Sequence, residues 1–273
     1  MGILEVNAQA DYTNFGKVYR LSSTYSMFPD SVRNKEPRIY QGKTYNASEH
    51  YQDSSALVFV PSYFSTKKPF ELVIYIHGWN NCIDSSLKQF DLIKQLYNTN
   101  KNAILLFPEG PKNAPDSYAG KFEKATIFNS FIKDILDKLN TKKAIANNQN
   151  FKLVIAGHSG AYRAMSYILL HSTYTIEGIA LLDALYGSEE KFAVYLQKNK
   201  NCKLINIYTN EGGTMQNSID FMTSMTAWKW KFLQREEETL TKQDLINNRI
   251  AFIHSKRGHN DVVDKLGMFL KYW

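Results

Sequence analysis

A series of short, nearly uninterrupted apolar runs, each followed by a stretch of helical period, restricts this chain to very few architectures. The runs are "SSALVFVPSYF" (54–64), "FELVIYIH" (70–77), "NAILLFP" (102–108), "FKLVIAG" (151–157), "IEGIALLD" (176–183), "CKLINIYT" (202–209) and "RIAFIHS" (249–255). Rich in Ile, Leu and Val and lacking polar alternation, they suit strands buried on both faces, as in a parallel sheet. Between them, "DSSLKQFDLIKQLYNTN" (84–100) sets Leu87, Phe90, Ile93 and Leu96 or Tyr97 on one stripe behind capping candidates. "FNSFIKDILDKLN" (128–140), "AYRAMSYILLHS" (161–172) and "NDVVDKLGMFLKYW" (260–273) read as helices in the same way. Alternation of this kind predicts an α/β fold: an open, mostly parallel sheet covered by helices on both faces.

With 273 residues and no internal repeat, one domain over 1–273 is expected. Residues 1–50 are polar and aromatic without a clean period and are expected to wrap the domain edge. The segment 216–248 carries Phe221, Met222, Met225, Trp228, Trp230 and Phe232. It reads either as a helical lid over an apolar pocket or as an extra helix pair packing its aromatics into the core.

Charge narrows the function classes. There are 33 basic and 26 acidic residues, a net of +7, but lysines such as Lys67, Lys142 and Lys198 are scattered rather than run together. That distribution fits anionic surfaces, membrane or cell-envelope polymer, and no nucleic-acid motif accompanies it. No apolar run reaches the roughly 18 residues of a membrane span. The start, "MGILEVNAQADY", lacks the layout of a signal peptide, although Ala8-Gln9-Ala10 resembles the small-x-small end of one, a hint toward a periplasmic or secreted setting. Cys82 and Cys202 could be bridged or free, and spacing does not decide between these. No Cys/His cluster has metal-ligand spacing, so chemistry without metal or cofactor is expected.

In an open parallel sheet, ligands bind beyond the carboxyl ends of the strands, so the polar residues there matter most. The run at 151–157 ends in Gly157-x-Ser159-x-Ala161. A serine between strand and helix, flanked by small residues, sits on a strained turn with its oxygen exposed. "HGWNN" (77–81) closes an earlier strand, and flexible Gly78 beside His77 would let the backbone N–H of Trp79 reach an oxyanion together with that of Gly160. His254 lies inside the last strand, whereas His259 follows on a loop able to carry an imidazole over the sheet, which favours His259. For the acid that orients such a histidine there are two candidates, Asp183 at a strand end and Glu211 after the next strand. Asp183 is favoured, because a carboxylate ending an apolar strand is costly without a partner.

The segments "IHGWNN", "GHSGA", "LLDALYG" and "RGHND" resemble the α/β-hydrolase fold family over about residues 54–273. With its acid directly after the nucleophile helix, the chain is similar to the neutral lipase branch of serine esterases. The resemblance implies Ser159 as nucleophile, His259 as general base and then acid, Asp183 as orienting carboxylate, and Trp79 and Gly160 as backbone donors. Ala161 departs from the usual glycine. The implied activity is cofactor-independent hydrolysis of a small-molecule or lipid-like carboxylic ester, with the cationic surface favouring an anionic one. Amide or peptide hydrolysis, acyl transfer on the same residues, and a non-catalytic binding role for the scaffold are the alternatives.

Overall fold

The computed structural model describes residues 12–264. The strands are β1 (Gly16–Ser22), β2 (Arg38–Tyr40), β3 (Lys43–Tyr45), β4 (Ser55–Pro61), β5 (Phe70–Ile76), β6 (Ala103–Pro108), β7 (Phe151–His158), β8 (Ile176–Leu182), β9 (Lys203–Thr209), β10 (Leu233–Glu236) and β11 (Ile250–Ser255). Nine of them form one sheet in the order β1-β4-β6-β5-β7-β8-β9-β11-β10, and β2 and β3 make a separate hairpin. From β6 through β10 neighbours run parallel, while β4 is antiparallel to both β1 and β6. The sheet is therefore mostly parallel, as expected.

Each apolar run of the sequence became a strand, and successive side chains feed two separate cores. On one face Leu72, Ile74 and Ile76 of β5 join Phe131 and Ile135 of the Ile127–Thr141 helix and Met165 of the Tyr162–His171 helix. On the other face Val73 and Tyr75 meet Ile83, Leu87 and Phe90. Helices thus cover both faces, which is why the central strands show no polar alternation.

Four strands escaped the sequence reading: β2 and β3, which form the small hairpin inside the segment 1–50, and β1 and β10, both at edges of the main sheet. β1 and β10 are mainly half-buried or exposed and carry no apolar run. The helix expected over 84–100 is two helices, Ile83–Phe90 and Leu92–Asn98, because Asp91 takes a left-handed conformation, φ 50°. Asp tolerates that region better than most residues. The Gln95 side-chain amide donates to the Phe90 carbonyl at 2.6 Å and to the Val263 carbonyl at 2.8 Å, tying the break to the last described helix. That helix spans Asp261–Asp264, and the remainder of the helix expected over 260–273, like Ala8-Gln9-Ala10, lies outside the described residues. Cys82 and Cys202 are both free and buried. No helix among the described residues is long and apolar enough to cross a membrane.

Segment 216–248 lies mostly within the Thr214–Ala227 helix, β10 and the Lys242–Asn247 helix. Phe221, Met222 and Met225 are buried, and Phe221 meets Phe252 of β11 edge to face at 5.8 Å. Trp228 stays 49% exposed. From β5 the chain crosses to β6 on one side and then to β7 on the other, so the order reverses between β5 and β7. Such a reversal opens a crevice at the carboxyl ends of the two strands. Phe221→Ala should lower the unfolding free energy by about 3–5 kcal/mol, as expected for emptying a filled aromatic site; urea titration of the two proteins checks it.

Candidate active site

The reversal between β5 and β7 places two of the singled-out motifs side by side. Ile76 is in register with Gly157, so the loop after β5 runs against the turn after β7. A Cβ added to Gly78 would lie 2.5 Å from the Cβ of Ser159 and 2.8 Å from the His158 carbonyl, so only glycine fits. Ser159 itself has φ 55°, the left-handed region, which costs an ordinary residue roughly 1–2 kcal/mol. Small neighbours make the turn feasible. A Cβ at Gly157 would meet that of Ala161 at 2.7 Å, and one at Gly160 would meet the Trp79 ring at 2.4 Å. Ala161 is itself buried, so its single methyl fills the space that the motif's usual glycine leaves open.

Asp183 follows β8 with φ 47° and is completely buried. Its carboxylate accepts from the Thr209 N–H at 3.0 Å, the Thr209 hydroxyl at 2.8 Å, the Thr214 hydroxyl, and Nδ1 of His259 at 2.6 Å. Burial pushes its pKa up, but the hydrogen bonds from His259, Thr214 and Thr209 together outweigh it and hold the carboxyl below the ordinary carboxylate range. A carboxylate so placed fixes the hydrogen of His259 on Nδ1 and leaves Nε2 as the ring's acceptor. Gly212 closes over this contact: a Cβ there would fall 2.0 Å from Oδ2 of Asp183 and 2.9 Å from Nδ1 of His259.

The other candidate acid, Glu211, is not brought to the imidazole. Its backbone N–H donates to the Thr209 hydroxyl at 3.3 Å, and no hydrogen bond joins its carboxylate to His259 among the described residues. His254 pairs instead with Glu236, at 2.9 Å, and with Asn210. His77 is buried behind the loop, with Nδ1 2.7 Å from the Gly78 carbonyl oxygen.

A cleft of about 400 Å³ opens above Ser159, lined by Trp79, Ser117, Gly160, Tyr162 and Tyr186. The Trp79 indole donates to the Ser117 hydroxyl at 2.7 Å and meets Tyr40 of the small hairpin edge to face at 5.3 Å. Ser117 is placed by its neighbour Asp116, which takes Arg33 at 2.8 Å and the Tyr51 hydroxyl at 2.9 Å. Tyr186 interacts with Ser159; burial first, then the Asp183 charge, keep its phenol protonated well above the ordinary tyrosine range. Among the described residues, no group of three His, Cys, Asp or Glu is placed to hold a metal ion.

Several of these residues were not singled out in the sequence. Thr209, Thr214 and Gly212 carry no motif; only the pairing of Leu182 with Ile207 sets them beside Asp183. His158 was visible only as the variable position of the serine turn. It is fully buried between Phe90, at 5.4 Å, and the His259 ring, at 4.5 Å, and its Nε2 lies 3.0 Å from the His259 carbonyl oxygen. Burial, and then the neighbouring His259, push its pKa down to about 3. It is therefore neutral at pH 7 and donates from Nε2, anchoring the loop that carries His259.

No family model and no curated protein sequence matches the chain. Solved structures do. A fluorophosphonate-binding serine hydrolase of Staphylococcus aureus, FphF, is 12% identical with a TM-score of 0.52, over 93% of this chain and 98% of that one. A feruloyl esterase module from Clostridium thermocellum, in complex with sinapinate, is 11% identical with a TM-score of 0.55, over 94% and 88%. The S-formylglutathione hydrolase FrmB of Staphylococcus aureus is 12% identical with a TM-score of 0.52, over 94% and 97%. With the strand order described above, these likenesses show that the chain has the α/β-hydrolase fold.

His158 makes the site a source of acid sensitivity. Its folded-state pKa, about 3, lies below the ordinary value of 6.5, so the unfolded chain takes up a proton that the folded chain refuses. Stability from this group is complete above about pH 6.5 and falls as pH drops toward 3, by about 2 kcal/mol at pH 5. The lowered Asp183 adds a further loss, which begins only as pH falls below its ordinary value of 3.8. Urea unfolding at pH 7 and pH 5 should show the loss, and His158→Gln should flatten it.

Proposed function

We propose that the protein is a serine hydrolase that cleaves a carboxylic ester through an acyl-enzyme. The observation that carries this reading is the 2.6 Å contact between Nδ1 of His259 and the buried Asp183, beside a serine at φ 55°. A hydroxyl is a poor nucleophile unless a base takes its proton, and a base is poorly oriented unless a third group holds it. Asp183 supplies that hold. Ser159 attacks the ester carbon while Nε2 of His259 takes the hydroxyl proton. The tetrahedral oxyanion forms against the backbone N–H groups of Trp79 and Gly160. His259 then passes the proton to the leaving alcohol, and in the second half takes one from water to release the acid.

Placement of these residues after β5, β7, β8 and β11, along one end of the sheet, supports this over a binding role. A left-handed serine costs stability, and a binding surface gains nothing from it. Rings of Trp79, Tyr162 and Tyr186 over the serine favour an apolar group on the substrate, while the net charge of +7 favours an anionic ester. Ester is preferred to amide because the alcohol leaves more easily.

Intact mass after incubation with a fluorophosphonate should show one adduct on the parent, none on Ser159→Ala and slow formation on His259→Ala. On p-nitrophenyl esters, Asp183→Asn should lower kcat/KM about 10³- to 10⁴-fold. A folded parent that takes no adduct would overturn the reading.

A further inference from the structure

Behind the loop 77–81, two ionisable side chains are sealed from solvent, and none of the chemistry above uses them. His77 and Glu109 stand at adjacent strand ends, after β5 and β6, and each side chain is 1% exposed. Burying both is costly unless their polar atoms are matched, and they are. The Ile83 N–H donates to both Glu109 oxygens at 3.2 Å, Oε1 lies 3.0 Å from Nε2 of His77, and the Gly110 N–H donates to Nε2 at 3.1 Å. Nδ1 lies 2.7 Å from the Gly78 carbonyl oxygen. A carbonyl only accepts, so Nδ1 carries a hydrogen and donates it. Nε2, which faces Oε1 of Glu109 and takes the Gly110 N–H, does not alter that: Nδ1 is the donor to Gly78. The Gly110 backbone presses on the ring, since a Cβ there would lie 3.0 Å from Nε2.

The Gly78 carbonyl and the Trp79 N–H belong to one planar trans peptide and point in opposite directions. Held by His77 on its carbonyl side, that peptide turns its N–H away from His77. Gly78 itself abuts Ser159. A hydrogen bond on the carbonyl also draws electron density through the amide and strengthens the N–H as a donor. We propose that the buried His77–Glu109 pair is the positioning device of the oxyanion site: His77 sets and polarises the Gly78–Trp79 peptide, and Glu109 sets His77. The inference rests on the reading of the Trp79 N–H as an oxyanion donor. Neither side chain touches a reacting atom, so both are positioning residues.

The test compares an oxoester with its thionoester, whose bulky and weakly accepting sulfur profits little from an oxyanion site. Parent, His77→Phe, Glu109→Ala and Glu109→Gln are assayed for kcat and KM on both p-nitrophenyl substrates, with a melting curve for each. His77→Phe and Glu109→Ala should lower oxoester kcat about tenfold to a hundredfold at unchanged KM and narrow the oxo-to-thiono ratio. Glu109→Gln, whose amide can donate to Nε2 while its carbonyl accepts from Ile83, should recover most of that loss. Where one of the disruptive variants does not fold, the other carries the comparison. Equal losses on both substrates, or Gln no better than Ala, would mean that the pair only packs. A Ser159 adduct on the parent with an unchanged ratio in the variants defeats this inference alone, whereas no adduct on the parent defeats the hydrolase reading with it.

Discussion

A carboxylate fully removed from water organises this molecule more than any other group. Asp183 is at zero exposure, and an unmatched ion in that position would be expelled or neutralised. Four donated hydrogen bonds keep it charged, and each makes a demand elsewhere. Thr209 must end β9 in register with β8; Thr214 must begin the next helix; His259 must arrive from beyond β11. Gly212 must lack a side chain, because any carbon there would occupy the space of the contact. The sheet order, with β8, β9 and β11 adjacent, allows residues far apart in sequence to meet those demands together.

The same economy appears on the other side of the serine. Gly78, Gly157 and Gly160 are small because a side chain there would collide with Ser159 and the His158 carbonyl, with Met165 and Ala161, or with the Trp79 ring. Two histidines then act in opposite electrical roles within 4.5 Å of each other. His259 is hydrogen-bonded to a charge and retains 27% side-chain exposure, which the proposed role as base requires. His158 is buried and neutral, and serves as a fixed donor to the backbone.

What could be read in the chain beforehand follows from where the signal resides. The central strands announced themselves because both faces are buried, so every residue is apolar. β1 and β10 did not, since an edge strand facing water has no such run. Ser159 and His259 were legible because a tight turn demands small neighbours and a loop histidine near a strand end is uncommon. Asp183 and Glu211 could not be separated by spacing alone; the register of β8 on β9 separates them. Thr209, Thr214, Gly212 and Glu109 are common residue types whose meaning is spatial. Asp91 broke an expected helix because amphipathic period says nothing of a single left-handed residue.

The loop bearing His259 is attached to the body differently from the serine and the acid. Ser159 and Asp183 lie at the ends of central strands, hydrogen-bonded on both sides. His259 is held through the His158 donor to its carbonyl, its bond to Asp183, and the Gln95 bond to the Val263 carbonyl a few residues on. Breaking these exposes far less surface than separating the sheet, so this segment belongs to the low-energy end of local unfolding. Ser159 would then lose His259 in brief openings from which the sheet recovers intact. On warming, the arrangement of His259 on Asp183 would be lost along a shallower curve than the sheet, and amide exchange after β11 would outpace exchange in β7 and β8.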